Sequence, residues 1–339
     1  MSYISTDNIT SINAELTNFC NAACPMCARY HIDGKLVKDK VNSMHTSLDF
    51  IKEKIGIDIV KKLWNFTSCG NFGDGAMNPE CLDIYKWLRE VNPKLQLILH
   101  TNGGARNEEF WSEMAKTEVQ VIFAIDGLED TNHIYRRNVN WSKLMRNVKS
   151  YINAGGKADW EMLVFKHNET QVDQCRALAE ELGFVNFNHK QSSRWADFDS
   201  NGQWKEISKI KVGDDVIEKT TTIKSPDIGN GGNSQKFGLN STSLKNKNIK
   251  CHSYNLERNF IEIYLAVNGD VSPCCWLGDL RLHESKNIIK DYDKVNLYKS
   301  SLEEILNGDY FKELDRGIRG ELDAYRLQTC YFTCGVKDL

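Results

Sequence analysis

Cys20, Cys24 and Cys27 share one short loop, Glu15-Leu-Thr-Asn-Phe-Cys20-Asn-Ala-Ala-Cys24-Pro-Met-Cys27, with the spacing C-x3-C-x2-C. Three thiolates are one fewer than a closed tetrahedral zinc site or a fully ligated four-iron cluster requires. A loop of this length can wrap a cubane and reach three of its corners, leaving one iron open to another ligand. Two plainer readings use the same residues. One is a zinc site completed from elsewhere, for which His31 is near in sequence. The other is three inert cysteines, because free cysteine is often buried.

The three-cysteine loop resembles the signature of the radical SAM superfamily. The resemblance implies that the open iron of a [4Fe-4S] cluster chelates the amino and carboxylate groups of S-adenosylmethionine. An electron from the cluster then generates a 5′-deoxyadenosyl radical, while the protein supplies placement and shielding. Leu16 and Thr17 end a first strand that points at the cluster. Met26 stands where the family usually has an aromatic residue whose backbone faces the adenine; Met is a softer filler.

Further segments fit the same resemblance. Cys69-Gly-Asn-Phe-Gly73-Asp74-Gly75-Ala-Met-Asn-Pro-Glu80 is similar to the family's G-E-P segment, with Gly75 in place of Pro. Glycines there let backbone carbonyls approach the SAM ammonium, and Asp74 adds a charge-assisted contact. His100-Thr101-Asn102-Gly103 matches a common T-N-G, and Ala124-Ile125-Asp126-Gly127 matches S-x-D-G with Ala124 for Ser. The resemblance implies that Asn102 and Asp126 touch SAM or substrate; the plainer reading is that they cap turns. Lys166-His167-Asn168 follows a fifth strand, where His167 reads as a surface residue.

These loops need a scaffold that brings strand ends together. From Ile12 to about Phe187, short apolar runs alternate with amphipathic stretches. The strands expected are 12–16, 63–68, 95–99, 119–125, 160–165 and 184–187. Trp141, Leu144, Met145, Val148, Tyr151 and Ile152 mark a helical face closed by Gly155 and Gly156, and Val172, Cys175, Leu178 and Leu182 mark another ended by Gly183. Six βα units predict a parallel sheet and are too few for a closed eight-stranded barrel. The expected fold is therefore α/β: a partial (β/α)6 barrel over 1–196, with chemistry at the C-terminal strand ends. His189, Lys190, Ser192, Ser193 and Arg194 are read as following strand six toward the cavity, with Trp195 beside them. Residues 197–250 are polar and glycine-rich, which reads as a linker or a lid.

A small α+β unit is expected over 251–339. It opens with a hairpin, 260–267 turning at Asn268-Gly269. Cys251, then Gly269-x4-Cys274, then Cys330-x3-Cys334 resembles the auxiliary-cluster extension called SPASM, or its shorter Twitch form. Four remaining ligands suit one auxiliary [4Fe-4S] cluster. The same four thiols would also bind zinc. Cys275 adjoins Cys274, and the spacing favours Cys274 as the ligand. Cys81 and Cys175 read as helix core, and Cys69 as packing near the site, with a catalytic thiol as the alternative.

The chain has 339 residues, 41% apolar, with a net charge of −3 and 11 cysteines. That size accommodates a large α/β domain plus a small one. The balance of charge gives no reason to expect bulk nucleic-acid binding, and Arg136, Arg137, Lys143, Arg146 and Lys149 read as a solvated helix face. No apolar run is long enough for a membrane span, and the opening residues do not resemble a signal peptide. A cytoplasmic location is expected, with the cysteines serving metal rather than disulfides. The reading is a radical SAM oxidoreductase that passes an electron from a substrate radical to the auxiliary cluster. The favoured substrate is a peptide or protein side chain, and the expected electron donor is flavodoxin- or ferredoxin-like. Alternatives are dehydrogenation of a sugar or cyclitol, RNA modification, and a non-enzymatic zinc-binding interaction module.

Overall fold

The computed structural model describes residues 5–31, 33–37, 43–192, 194–198, 201, 204–222, 247–255, 260–278, 285, 288–321, 327, 329–330 and 334–337. Six strands follow one another across a sheet: β1 (Ser11–Ala14), β2 (Asn65–Ser68), β3 (Gln96–Thr101), β4 (Gln120–Ala124), β5 (Ala158–Val164) and β6 (Asn186–Gln191). Each pairs in parallel with the next. Helices fill the connections, among them Cys81–Val91, Glu108–Ala115, Trp141–Asn153 and Val172–Leu182.

Two of these helices stop where the sequence places the stop. Trp141–Asn153 starts on the Asn140 side chain, which accepts from the Lys143 amide at 2.9 Å. The glycine that follows it, Gly155, sits at φ +89°, and Gly183 closes Val172–Leu182 at φ +87°.

Alternation along the strands divides the sheet into two chemically different faces. Phe66, Leu97, Leu99, Val121, Phe123, Trp160 and Met162 are buried on the face covered by helices. Phe66 meets Tyr85 edge-on at 6.3 Å, and Phe123 packs on Trp111 and Tyr151. Truncating a ring such as Phe123 there would cost about 3–5 kcal/mol. The other face carries Asn13, Asn65, Thr67, His100, Gln120, Asp159, Glu161 and Lys190, as the strand registers require.

The C-terminal segment is not separate from this sheet. Phe260–Leu265 runs parallel to β1, pairing Ser11 with Glu262 and Ala14 with Leu265. Val271–Ser272 returns antiparallel as the expected hairpin, and Tyr254–Asn255 adds the far edge. The result is a nine-stranded sheet, open between β6 and Tyr254–Asn255 among the described residues.

Three sequence readings change. The sixth strand runs to Gln191, so His189 and Lys190 lie inside it; its alternation is mostly polar, which hid its length. Residues 204–222 are more than a linker. Lys209–Val212 and Asp215–Glu218 form a hairpin, held by fully buried Ile217 and by the Lys166 amide donating to Glu218 at 2.9 Å. The glycine-rich stretch 228–234 and Ser193 lie outside the described residues. Arg136 is not on a solvated face but in a buried ion pair, described below.

Candidate functional site

β1 delivers the chain into the cysteine loop, and the loop is pinned before it reaches Cys20. The Leu16 carbonyl accepts from the Thr46 amide (2.9 Å) and from Asn78 Nδ2 (2.7 Å). Thr17 Oγ1 donates to the Met44 carbonyl at 2.9 Å. Within the loop, the Cys27 amide donates to the Cys24 carbonyl at 3.1 Å and the Ala22 amide to Cys20 Sγ at 3.3 Å. Arg29 Nη1 donates to the carbonyls of Cys20 and Ala22. Burial pushes the Cys20 thiol up, and Asp74 and Cys24 add to the shift. Burial likewise pushes Cys24 up to about 11, with Cys27 adding and Arg136 opposing. Cys20 and Cys24 resist ionisation as bare thiols and become good ligands when a cationic centre supplies the counter-charge.

The loop after β2 lies directly against this one. A Cβ on Gly73 would fall 1.9 Å from the Thr17 carbonyl oxygen, so only glycine fits at this approach. The next residue, Asp74, donates its amide to the Phe19 carbonyl at 3.0 Å. Its carboxylate is buried and saturated. One oxygen accepts from the Ala76 amide (3.1 Å); the other accepts from Thr101 Oγ1 (3.0 Å), the Asn102 amide (2.8 Å) and Asn102 Nδ2 (2.6 Å). Asn102 Nδ2 also lies 3.7 Å from Cys20 Sγ, and its amide pairs reciprocally with that of Asn21. The ends of β1, β2 and β3 thus converge on the cysteine loop through Asp74 and Asn102.

Asp126, at the end of β4, is fully buried and turned inward. Its oxygens accept from Arg136 Nε and the Leu163 amide, each at 2.6 Å. Arg136 Nη1 reaches Cys24 Sγ at 3.7 Å. Met26 is buried, and its carbonyl accepts from Arg194 Nη1 at 3.4 Å. Of the other residues considered near strand six, His189 faces the helices and stacks on Phe187, whereas Trp195 is buried beside Phe165. His167 is no surface residue: it stacks on Phe165 with both ring nitrogens buried and unpartnered.

On the polar face, at the C-terminal ends of the strands, Lys190 Nζ and the Glu161 carboxylate pair at 3.0 Å. His100 shares their electrostatic neighbourhood and is held below its ordinary pKa by burial. Level with His100 in the strand register, Asp159 accepts from Gln120 Nε2 (2.7 Å) and Asn186 Nδ2 (3.0 Å).

The C-terminal cysteines gather separately. Cys251 and Cys334 hydrogen-bond through their side chains, and Cys274 and Cys330 add repulsion that helps hold Cys251 up. The bond from Cys251 draws Cys334 down to about 6. Pairing of Lys247–Ile249 with Gly335–Lys337 brings Cys251 to Cys334, and the Phe260–Leu265 hairpin delivers Cys274. Among the described residues, no three His, Cys, Asp or Glu side chains close tightly onto one ion position. The thiols are grouped rather than collapsed on a point.

Sequence reasoning missed Glu15 and Arg136. The Glu15 carboxylate accepts from the amides of Asn71 (3.1 Å), Phe72 (2.9 Å) and Gly73 (2.8 Å) and from the Tyr264 hydroxyl. Its signal was an acidic residue beside Leu16 in a buried strand end, where an unpaired charge is costly.

An open parallel α/β sheet with a three-thiol loop at β1 and a four-thiol group at the C-terminus defines a class that family comparison names. The model for the radical SAM superfamily matches residues 14–179, and that for the SPASM iron-sulfur cluster-binding domain matches 257–335. The chain belongs to the radical SAM superfamily and carries a C-terminal domain of the SPASM/Twitch type. It is an enzyme whose cofactors are S-adenosylmethionine and [4Fe-4S] clusters. Among solved structures it is similar to Streptococcus suis SuiB bound to precursor peptide SuiA, with a TM-score of 0.56 and 12% identity over 96% of this chain and 70% of that one. It also resembles SuiB bound to S-adenosylmethionine, with a TM-score of 0.53 and 10% identity over 95% of this chain and 77% of that one. A third similar structure is anSMEcpe with bound AdoMet and Cp18Cys peptide, with a TM-score of 0.51 and 14% identity over 90% and 81%. No curated protein sequence matches the chain. No helix among the described residues is long and apolar enough to cross a membrane.

Proposed function

We propose that this radical SAM enzyme oxidises a peptide or protein side chain, with one auxiliary cluster receiving the substrate's electron. The observation that carries this reading is the polar face of the sheet. Glu161, Lys190 and His100 offer a donor and an acceptor side by side at the strand ends where the cysteine loop sits. A peptide amide or polar side chain complements such a surface better than an aliphatic group does. SuiB and anSMEcpe, which share the fold, were captured with peptides.

In this reading Cys20, Cys24 and Cys27 hold the first cluster, and Cys251, Cys274, Cys330 and Cys334 the auxiliary one. When bound, the first cluster and SAM supply a 5′-deoxyadenosyl radical that takes a hydrogen atom from substrate. The chain's own residues place and shield that chemistry. Gly73 lets the loop after β2 close on the Thr17 backbone and so shapes the place where SAM would bind, and the Met26 backbone would border its adenine. Asp74 holds Asn102 beside Cys20. Asp126 works at one remove, by orienting Arg136 toward Cys24. Residues 1–196 form the core, which Phe260–Leu265 extends beside β1, 197–250 are a linker or lid, and 251–339 carry the auxiliary cluster. The electron donor is a flavodoxin- or ferredoxin-like protein, and the location is cytoplasmic.

The test uses anaerobically reconstituted enzyme with dithionite and SAM. Release of 5′-deoxyadenosine reports the radical step. Parallel panels of peptides and of sugars or cyclitols report the substrate, read by mass spectrometry as loss of two hydrogens. Turnover of the cyclitol panel alone would overturn the peptide reading.

A further inference from the structure

We propose that Cys69 and Cys275 form a redox-active dithiol, closed by a small-molecule disulfide, that ties the loop after β2 to the auxiliary hairpin. This goes beyond the function above and does not depend on the substrate.

The assignment begins with cysteine use. Of the 11 cysteines, three lie in the β1 loop and four in the C-terminal group. Cys81 and Cys175 are fully buried within helices. The remaining two, Cys69 and Cys275, come from opposite parts of the chain and are joined by a thiol–thiol hydrogen bond. Each residue is only partly buried.

The contact does not rest on the two thiols alone. Asn71 Nδ2, two residues beyond Cys69, donates to the Cys275 carbonyl at 3.1 Å. Glu15 accepts from the Asn71 amide and from the Tyr264 hydroxyl, and Tyr264 lies on the strand whose return leads to Cys275. Cys275 is therefore turned toward the SAM-side loop, whereas its neighbour Cys274 is influenced by Cys330 of the C-terminal group. Closing the pair would fasten the segment that leads into Gly73–Asp74 to the residue beside Cys274, and so join the surroundings of the two cofactor sites.

The chemistry balances with a named oxidant. One thiol attacks glutathione disulfide, forms a mixed disulfide and releases one glutathione thiol. The second thiol then displaces the other glutathione. The protein dithiol loses two electrons and two protons, and the oxidant takes them up as two glutathione thiols. No iron changes oxidation state.

The experiment treats anaerobic, reconstituted enzyme of known iron and sulfide content with glutathione disulfide. Free thiols are then blocked with N-ethylmaleimide and the digest is mapped by mass spectrometry. The expected product is one intramolecular link between the Cys69 and Cys275 peptides, reversed by dithiothreitol, with iron per chain unchanged. Cys69→Ser and Cys275→Ser should each abolish the link and retain full iron. The idea is overturned if the wild-type enzyme keeps its iron and forms no such link. It is equally overturned if Cys275→Ser folds but loses iron, which would make Cys275 a cluster ligand, or if the link appears only as iron is lost. The wild-type map decides the matter even where a variant does not fold.

Discussion

Asn102 donates twice to a single carboxylate oxygen of Asp74, from its backbone at 2.8 Å and from Nδ2 at 2.6 Å. This pair of hydrogen bonds sets the Asn102 side chain beside Cys20. Asp74→Ala would strand several buried donors at about 1–3 kcal/mol each and free Asn102 to turn away. SAM affinity should fall roughly tenfold to a hundredfold, at about 1.4 kcal/mol per decade. Equilibrium dialysis with anaerobic enzyme measures it, and Asp74→Asn should retain part of the affinity. Unchanged binding in the alanine variant would remove Asp74 from the SAM site.

Arg136 bridges Asp126 and Cys24, and its removal leaves Asp126 as a buried carboxylate without its cation. Arg136→Met should destabilise the enzyme by about 3–5 kcal/mol. The double variant with Asp126→Asn should recover part of that loss, because the stranded charge is gone. Thermal unfolding of both proteins gives the comparison. A double variant no more stable than the single one would show that the two residues do not act as a pair.

The sequence makes chemistry legible where spacing alone specifies it. The C-x3-C-x2-C run and the Gly73–Asp74 loop need no knowledge of the fold, and the strong 3.6-residue period of Trp141–Asn153 marks its own helix. Relationships that the fold creates are harder to see. Arg136 looks like one basic residue among several until β4 and the following turn place it over Asp126. Glu15 gains its partners from residues 71–73 and 264, far away in sequence. A sixth strand is expected to end at residue 187 because the exposed, polar alternation up to Gln191 gives no apolar signal. The pairing of Phe260–Leu265 with β1 joins segments some 250 residues apart, which local periodicity does not encode.

The two thiol groups should be separable by mutation. Alanine at Cys20, Cys24 or Cys27 should abolish 5′-deoxyadenosine formation. Alanine at Cys251 or Cys274 should leave SAM cleavage in place and stop substrate turnover. Iron content and the 5′-deoxyadenosine yield, measured on the same preparations, distinguish the groups. Full turnover by Cys274→Ala would exclude an auxiliary cluster from the reaction.

Glu15 should make stability depend on pH in a predictable direction. Burial raises its carboxyl from 4.5 to about 7, against the opposing bonds from Tyr264 and the amides of residues 71–73. The folded state therefore favours the protonated form more than the unfolded chain does. The stabilisation from this group is fully present below about pH 4.5, declines as pH rises, and is gone above about pH 7. Its full size is roughly 3 kcal/mol, at 1.36 kcal/mol per pKa unit. Glu15→Gln stays neutral throughout and lacks this dependence. Between about pH 5.5 and 8, a range gentler on the clusters, wild-type stability relative to the variant should fall by about 2 kcal/mol. Urea unfolding of both reconstituted proteins across that range measures the difference. Parallel stability curves would mean that Glu15 is ionised in the folded enzyme at every pH tested, held as a carboxylate by its three backbone donors.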